Sequence, residues 1–269
     1  MQATQLTMLG TGNAAVTRCF NTCFALRTAQ GVFLTDAGGG NGILSRLEAA
    51  GIALSDIHEL FVTHAHTDHI LGVIWVVRMV GQLINADKYE GALCVYGHDA
   101  ALEVVDWVCR HTLPGKVCRH IGGRIRLIEL KDGDAFTAAG MVGHAFDIGS
   151  DKAKQFGYRL SLPDGRNLVC LGDEPFNERN REVVQGADWL LSEAFCLAAD
   201  AERFKPYEKH HSTARDAGRL AAELGVCNLL LYHTEDKTLA TRRSAYTAEA
   251  AEFFRGRIEV PDDGETIEL

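Results

Sequence analysis

The sequence predicts a mixed α/β protein with two β-rich halves, and three observations lead to that prediction. Short apolar runs of strand length alternate with runs of helical length along the whole chain. Turn signals built on glycine separate these runs. No stretch rich in Pro, Gly or Ser divides the chain into two parts. We therefore expect residues 1–269 to form a single domain.

The composition is that of an ordinary globular protein and argues against several classes. The chain is 46% hydrophobic and 23% charged, unlike a disordered or fibrous protein. A net charge of -9 is unfavourable for a protein that coats nucleic acid, because such proteins neutralise phosphates with Lys and Arg. No basic start with an apolar stretch predicts a signal peptide, and no run of about 18 apolar residues predicts a membrane span. We expect a cytoplasmic protein with reduced cysteines.

The first half begins with strand-like runs joined by tight turns and continues with helices between strands. Gly51 stops the first helical run and Pro114 ends the last. The predicted strands are residues 6–9, 23–27, 32–35, 60–63 and 94–96, and the predicted helices are residues 43–50, 68–83 and 100–112.

The second half also alternates strand-like and helical runs, but its sequence does not repeat that of the first half. Asp164-Gly165 is a hairpin signal between two strands. A helix over residues 214–224 begins at a Ser212 or Thr213 cap and stops at Gly225. The predicted strands are residues 124–130, 158–162, 168–171, 189–192 and 229–232.

Residues 63–69, with the sequence THAHTDH, carry the clearest chemical signal. They lie between a predicted strand and a predicted helix. In an extended segment His64 and His66 point to the same side and can bind one metal ion. Asp68 and His69, at the start of the helix, can bind a second ion. The alternative is a polar turn with Asp68 as the helix cap, which leaves three clustered histidines without a use.

Three further candidate ligands follow apolar strand-like runs. His144 follows Met-Val-Gly, Asp173 follows a run ending in Leu-Gly, and His233 follows Leu-Leu-Leu-Tyr. Loops at strand ends often carry functional side chains. Each of these residues alone is typical of a cap, but together with the histidine cluster they indicate a metal centre.

In order and spacing these residues resemble the metallo-β-lactamase-fold hydrolases, whose hallmark is His-x-His-x-Asp-His. Asp36 matches the first motif of that family. The other matches are His64, His66, Asp68 and His69 in the second motif and His144, Asp173 and His233 in the third to fifth motifs. The resemblance implies an α/β fold of the αββα sandwich type, with two mixed β-sheets flanked by helices and the metals at one edge between the sheets.

Within that fold the sequence most resembles ribonuclease Z-like proteins. Gly10-Thr11-Gly12 looks like their opening turn, and Asp68-His69-Ile70-Leu71-Gly72 like their extended metal motif. Glu193 in Ser-Glu-Ala and His211 in His-Ser-Thr-Ala match a glutamate and a histidine that serve proton transfer in that family. The resemblance also implies a possible homodimer.

The chain departs from ribonuclease Z in two places. The arm that grips tRNA is expected between Gly157-Tyr158 and Asp173, where only a short turn fits. The arginine and tyrosine that often follow the fifth motif are missing. Lys237 is the cation left in that region, and we expect it to bind the substrate phosphate.

We therefore expect a binuclear metal-dependent hydrolase, a phosphodiesterase that uses a metal-bridging hydroxide. By the resemblance His64, His66 and His144 hold one ion, and Asp68, His69 and His233 hold the other, with Asp173 between them. This set suits two Zn²⁺ ions, with Mn²⁺ or Fe²⁺ as alternatives. The predicted catalytic residues are Asp68, Glu193 and His211, and Asp36 orients a ligand.

Other functions stay open at this point. One is tRNA 3′-end processing with the RNA held by surface charge, and another is a lactone or thioester hydrolase of the same fold. A metal-binding scaffold without turnover is the remaining class. The sequence does not separate a small phosphodiester from an RNA 3′ end as the substrate.

Overall fold

Two seven-stranded β-sheets pack face to face, and helices cover their outer faces. The structure is a computed structural model that describes residues 3–269. Both sheets are mixed, because each contains antiparallel and parallel pairs. The architecture confirms the predicted αββα sandwich.

The first sheet is formed mainly by the N-terminal half. Its strands are β1 (Gln5–Gly10), β2 (Cys23–Thr28), β3 (Gly31–Thr35), β4 (Ile57–Val62), β5 (Leu93–Gly97) and β6 (Ile125–Glu129), with the last strand of the chain, β14 (Thr266–Glu268), at its edge. The order is β14-β1-β2-β3-β4-β5-β6, and the pairs from β3 to β6 are parallel.

The second sheet is formed by the C-terminal half. Its strands are β7 (Ala135–Ala138), β8 (Met141–Asp147), β9 (Phe156–Ser161), β10 (Asn167–Cys170), β11 (Trp189–Glu193), β12 (Asn228–Tyr232) and β13 (Arg257–Glu259), in that spatial order. The pairs from β10 to β13 are parallel, so their carboxyl ends meet at one edge.

The helices lie in two outer layers. Those over the first sheet are α1 (Gly42–Ala49), α2 (Thr67–Asn85), α3 (Asp99–Thr112) and α4 (Gly115–Cys118). The second half contributes α5 (Arg181–Val184), α6 (Ala201–Phe204), α7 (Ala214–Glu223) and α8 (Leu239–Ala250). Residues of α7 and α8 pack in one apolar cluster with β10, β11 and β12.

Aromatic side chains from both sheets fill the space between them. Phe33 and Phe61 come from the first sheet, and Phe136 and Tyr158 come from the second. Their ring centroids lie 4.9 to 5.9 Å apart. The Tyr158 hydroxyl also lies 2.6 Å from Thr35 Oγ1, which joins the sheets close to the edge where the candidate ligands gather.

Several elements were not predicted from the sequence. Of the β7–β8 hairpin, the sequence indicated only residues 141–143 as strand-like, because β7 has four residues and β8 contains Gly143. Strands β13 and β14 are only three residues long. Helix α8 has few large apolar residues and is held by the buried guanidinium of Arg242 instead. That group donates to the hydroxyls of Thr11 and Thr234 and to the carbonyl of Pro261.

The chain between β9 and β10 is a tight turn at residues 162–166, closed by a hydrogen bond from Leu162 N to the Arg166 carbonyl. The tRNA-gripping arm expected of a ribonuclease Z at this place has no counterpart here. Nothing extends from this hairpin to hold a large substrate.

Helix α2 is a core helix that carries two of the candidate ligands on its first turn. Its mean hydropathy of 1.3 and its length would suit a membrane span, but 61% of that window is buried inside the protein. The start of the helix is pressed against the loop after β3. Gly72 N donates to the Gly38 carbonyl at 2.8 Å, and a Cβ at Gly72 would lie 1.8 Å from the Ala37 carbonyl oxygen.

We expect Gly72→Ala to lower the free energy of unfolding by about 1–3 kcal/mol, because the new methyl group has no space unless α2 moves. Urea unfolding measures this change. Gly115→Ala is the matched control, since nothing lies within 4 Å of its added Cβ. The control should change the free energy by less than about 1 kcal/mol. Equal stability of both variants would contradict the close contact between α2 and the β3 loop.

Candidate metal centre

Side chains from both sheets converge at one edge of the sandwich. The loop after β4 and the first turn of α2 supply the second motif, and the loops after β10 and β12 supply the carboxylate and histidine of the fourth and fifth motifs. The converging residues are His64, His66, Asp68, His69, Asp173 and His233, all of them buried except His66.

Four donor atoms lie close together at this edge. His69 Nε2 lies 3.3 Å from Asp68 Oδ2 and 3.5 Å from Asp173 Oδ2. His233 Nε2 lies 3.7 Å from Asp68 Oδ2 and 3.4 Å from Asp173 Oδ2. Zn²⁺ bonds of about 2.0–2.2 Å in a tetrahedron require separations of this size between donors. We call these four residues the Asp68 position.

The donors of the Asp68 position fit a divalent cation for a second reason. His69 Nε2 and His233 Nε2 are buried and have no hydrogen-bond partner within residues 3–269. A buried nitrogen without a partner costs about 1–3 kcal/mol unless a ligand satisfies it. Two such atoms aimed at two carboxylate oxygens are the arrangement that a metal ion completes.

A second group of donors lies next to the first and shares Asp173. His64 Nε2 is 2.8 Å from His66 Nδ1 and 3.7 Å from Asp173 Oδ1. Burial lowers the pKa of His64, which keeps the imidazole in the neutral form that binds metals. We call His64, His66 and Asp173 Oδ1 the His64 position. It has three protein donors.

Asp36 orients the histidines of both positions. Its Oδ2 lies 2.7 Å from His69 Nδ1 and accepts a hydrogen bond from Thr63 Oγ1 at 2.8 Å. Thr63 Oγ1 in turn lies 3.0 Å from His64 Nδ1. A carboxylate at Nδ1 holds the proton there and leaves Nε2 of His69 free for a metal. Asp36 and His233 both have left-handed backbones, with φ of 51° and 57°, and such strain is common at functional sites.

Glu193 and His211 form a buried pair beside the cluster. Glu193 Oε2 lies 3.7 Å from His211 Nδ1, and neither atom has a hydrogen-bond partner among the described residues. Burial raises the pKa of Glu193 to about 8 and lowers the pKa of His211 to about 3. The His211 ring stacks on Phe195 at 4.8 Å and lies 5.2 Å from the His233 ring. At neutral pH these shifts keep the glutamate protonated and the histidine neutral.

A cleft of about 510 Å³ opens beside this pair, and His211 is part of its wall. Carboxylates dominate the charge of the lining, and Phe176 and Tyr207 supply aromatic surface. The acidic residues of the wall are Asp151, Glu174 and Glu178. Lys152 Nζ lies 3.7 Å from Glu174 Oε1, so the negative charge of Glu174 is partly compensated.

The structure does not bring His144 to the metal centre, which corrects the ligand set expected from the sequence. His144 lies inside β8, paired with Ala135 and Arg159, and its side chain is exposed. The neighbouring Gly143 and Ala145 are buried, with Ala145 in the core between the sheets, so alternation along the strand turns His144 away from it. The metal edge lies beyond Asp147, the last residue of the strand.

Lys237 lies in the loop after the fifth motif and is also outside the cluster. Its ammonium group is 2.6 Å from Asp236 Oδ1, and its side chain is 45% exposed. Asp236 is buried and accepts hydrogen bonds from the backbone of Thr17 and Arg18. The charge of Lys237 is therefore already paired, and its role in binding phosphate stays a prediction.

Sequence reasoning missed Gln155, which holds the carboxylate shared by both metal positions. Gln155 is 1% exposed. Its Nε2 donates to Asp173 Oδ1 at 2.5 Å, and its Oε1 accepts from the backbone N of Asp173 at 3.0 Å. No local pattern marks a single glutamine before a strand, so only the folded chain reveals this contact.

Comparison with known proteins agrees with this architecture. The sequence model of a family described as Anti-Pycsar protein Apyc1 matches residues 4–88. A ribonuclease Z from Myxococcus xanthus is 26% identical over 319 aligned positions, which cover 100% of this chain and 99% of that protein. Because this chain has 269 residues, the relative carries insertions.

Solved structures show the same fold. The metallo-β-lactamase fold protein YhfI from Bacillus subtilis has a TM-score of 0.79 at 19% identity and covers 100% of both chains. The short form of human tRNase Z has a TM-score of 0.73 at 20% identity and covers 98% of both chains. The chain thus has the metallo-β-lactamase fold and is ribonuclease Z-like in sequence, as its motifs predicted.

We expect Asp36→Asn to weaken binding of the first metal ion by about 10–100-fold, because the amide no longer fixes the Nδ1 proton of His69. Titration of the metal-free protein with Zn²⁺ measures this. Asp151→Asn, on the wall of the cleft and exposed, is the matched control and should leave that affinity within a factor of three. Unchanged affinity in Asp36→Asn would remove Asp36 from the metal centre.

Proposed function

We propose that this metallo-β-lactamase-fold, ribonuclease Z-like protein is a metal-dependent phosphodiesterase that acts on small phosphodiesters. One observation carries the proposal: the buried Glu193–His211 pair adjoins the metal-binding cluster, with the His211 ring 5.2 Å from that of His233, and His211 also forms part of the wall of the cleft. The cluster suits charge neutralisation at phosphorus, and the pair suits proton transfer. The full-length similarity to ribonuclease Z supports a phosphodiester over other substrates.

The residues of the Asp68 and His64 positions would hold two divalent ions, with Zn²⁺ favoured and Mn²⁺ or Fe²⁺ as alternatives. Such ions supply Lewis-acid activation of water and stabilise negative charge on the phosphoryl oxygens. Histidine and carboxylate donors without sulfur favour these metals over soft ones. Asp173 belongs to both positions and keeps them adjacent.

Glu193 and His211 would deliver the proton that the leaving oxygen needs. At neutral pH the proton resides on Glu193, since burial raises its pKa to about 8. The His211 ring lies between that carboxyl group and the cleft, so it can pass a proton from one to the other. The 3.7 Å gap between them is typical of a site that tightens when substrate binds. Phe195 keeps the ring in place by stacking.

The charge and size of the cleft favour a small substrate. A volume of about 510 Å³ is within the range of small-molecule sites. The carboxylates of Asp151, Glu174 and Glu178 repel a chain of phosphates but tolerate a single diester whose charge the ions offset. The tight turn between β9 and β10 adds no surface for a long RNA.

A second candidate is tRNA 3′-end processing. The observation in its favour is the similarity to ribonuclease Z, which covers nearly the whole of both proteins. The RNA would have to be held by a surface other than the missing arm.

The experiment is a side-by-side assay of the zinc- or manganese-loaded protein on bis(p-nitrophenyl) phosphate and on a precursor tRNA with a 3′ trailer. We expect cleavage of the small diester and not of the trailer. His233→Ala is the inactive control, and His144→Ala should behave as wild type because its side chain is outside the site. Removal of the trailer would favour the second candidate. If the protein cleaves neither the small diester nor the trailer but hydrolyses a thioester or a lactone, the proposed phosphodiesterase activity is wrong.

We expect Glu193→Gln and His211→Ala each to lower kcat on the small diester by about 10²–10⁴-fold, because both variants lose proton transfer to the leaving group. Bound metal, measured by elemental analysis, should stay at the wild-type level in Glu193→Gln. The matched histidine control is again His144→Ala. Wild-type turnover of His211→Ala at saturating metal would show that the histidine is not the proton donor.

A further inference from the structure

The two metal positions differ in how completely the protein surrounds them. The Asp68 position has four buried donors, from Asp68, His69, Asp173 and His233. The His64 position has His64, the exposed His66 and one oxygen of Asp173. It is one donor short of the four that tetrahedral zinc takes.

The missing donor has no substitute near the place where the third motif was expected. His144 is exposed on the far face of β8, and the chain between β8 and β9 approaches the cluster with Gln155. Asp151, on the same connection, is exposed and lines the cleft. Among residues 3–269, the groups of donors that include His64 contain only His66 and Asp173 besides it.

Gln155 further weakens the His64 position. The backbone N–H of Asp173 needs an acceptor, and Gln155 Oε1 supplies it at 3.0 Å. That contact fixes the orientation of the amide, because its other end must then be the NH₂ group. The NH₂ group donates to Asp173 Oδ1, the same oxygen that faces His64. A cation bound there competes with a donor that presents positive charge.

We propose that the metal centre is asymmetric: the Asp68 position binds one divalent ion tightly, and the His64 position binds a second ion weakly. The second position is weaker because it lacks a fourth protein donor and because Gln155 donates to Asp173 Oδ1, the oxygen of the shared carboxylate that faces His64. The second ion then completes its coordination with water or substrate atoms at the open side, where His66 is exposed. The inference concerns the ions alone and holds whatever the substrate is.

The test is calorimetric titration with Zn²⁺ at pH 8 of the full-length protein from which a chelator has removed all metal. A competing chelator is added to measure the tighter of the two binding events. Native mass spectrometry counts the ions at each step. We expect one tight equivalent and a second that binds at least about 100-fold more weakly, consistent with the missing ligand. Two equivalents with dissociation constants within threefold of each other would overturn the proposal.

Three variants show which metal position gives rise to the tight binding event and which to the weak one. His66→Ala should abolish the weak event and leave the tight one, and His233→Ala should abolish the tight one. His144→Ala should change neither constant by more than threefold. If His144→Ala selectively weakened the second event, His144 would be a ligand after all and the proposed asymmetry would lose its cause.

Gln155→Glu tests the role of the amide directly. The substitution keeps the size of the side chain and the acceptor for the Asp173 N–H, but it replaces the donor at Oδ1 by a carboxylate oxygen. We expect at least tenfold tighter binding of the second ion at pH 8 and a first ion within threefold of wild type. If Gln155→Glu binds the second ion with unchanged affinity and its circular dichroism matches that of the wild type, the proposal is contradicted.

Discussion

The Asp36 carboxylate is the constraint on which the site depends. It binds the backbone and hydroxyl of Thr63 and the Nδ1 side of His69, so it joins the end of β3 to the turn between β4 and α2. Through Thr63 it also reaches His64. One buried carboxylate thus sets the direction of two candidate metal ligands. The left-handed backbone of Asp36 and the tight contact of Gly72 with Ala37 keep that carboxylate in place.

Asp173 has the corresponding role on the second sheet. It follows β10, and each of its oxygens faces a different group of histidines. Its position comes from Gln155, which binds both its side chain and its backbone N–H. The same contact that orders the shared carboxylate reduces the number of free lone pairs on one side of it. The contact that orders Asp173 is therefore also one of the two causes of the asymmetry that we propose.

The acidic lining of the cleft bears on which substrates can bind, whereas the buried side chains bear on which reaction can occur. The cluster and the Glu193–His211 pair suit attack on a phosphodiester, whereas the surrounding wall is acidic. Bound metal ions would offset the charge of one diester group, but a long polyanion would also meet the carboxylates beyond it. This contrast, together with the short β9–β10 turn, is the physical reason for which we propose a small substrate.

The mixed α/β class and the segment 63–69 could be predicted from the sequence alone, because periodicity and contiguous motifs are local properties of the chain. The αββα arrangement was implied only by the resemblance of the motifs to the metallo-β-lactamase fold, since local patterns do not give the topology. The tertiary structure decided what depends on residues far apart in sequence. It turned His144 outward through strand alternation, paired Lys237 with Asp236, and brought Gln155 to Asp173. It also placed Glu193 next to His211 across a loop. Side-chain direction and long-range contacts follow from packing, which local patterns do not encode.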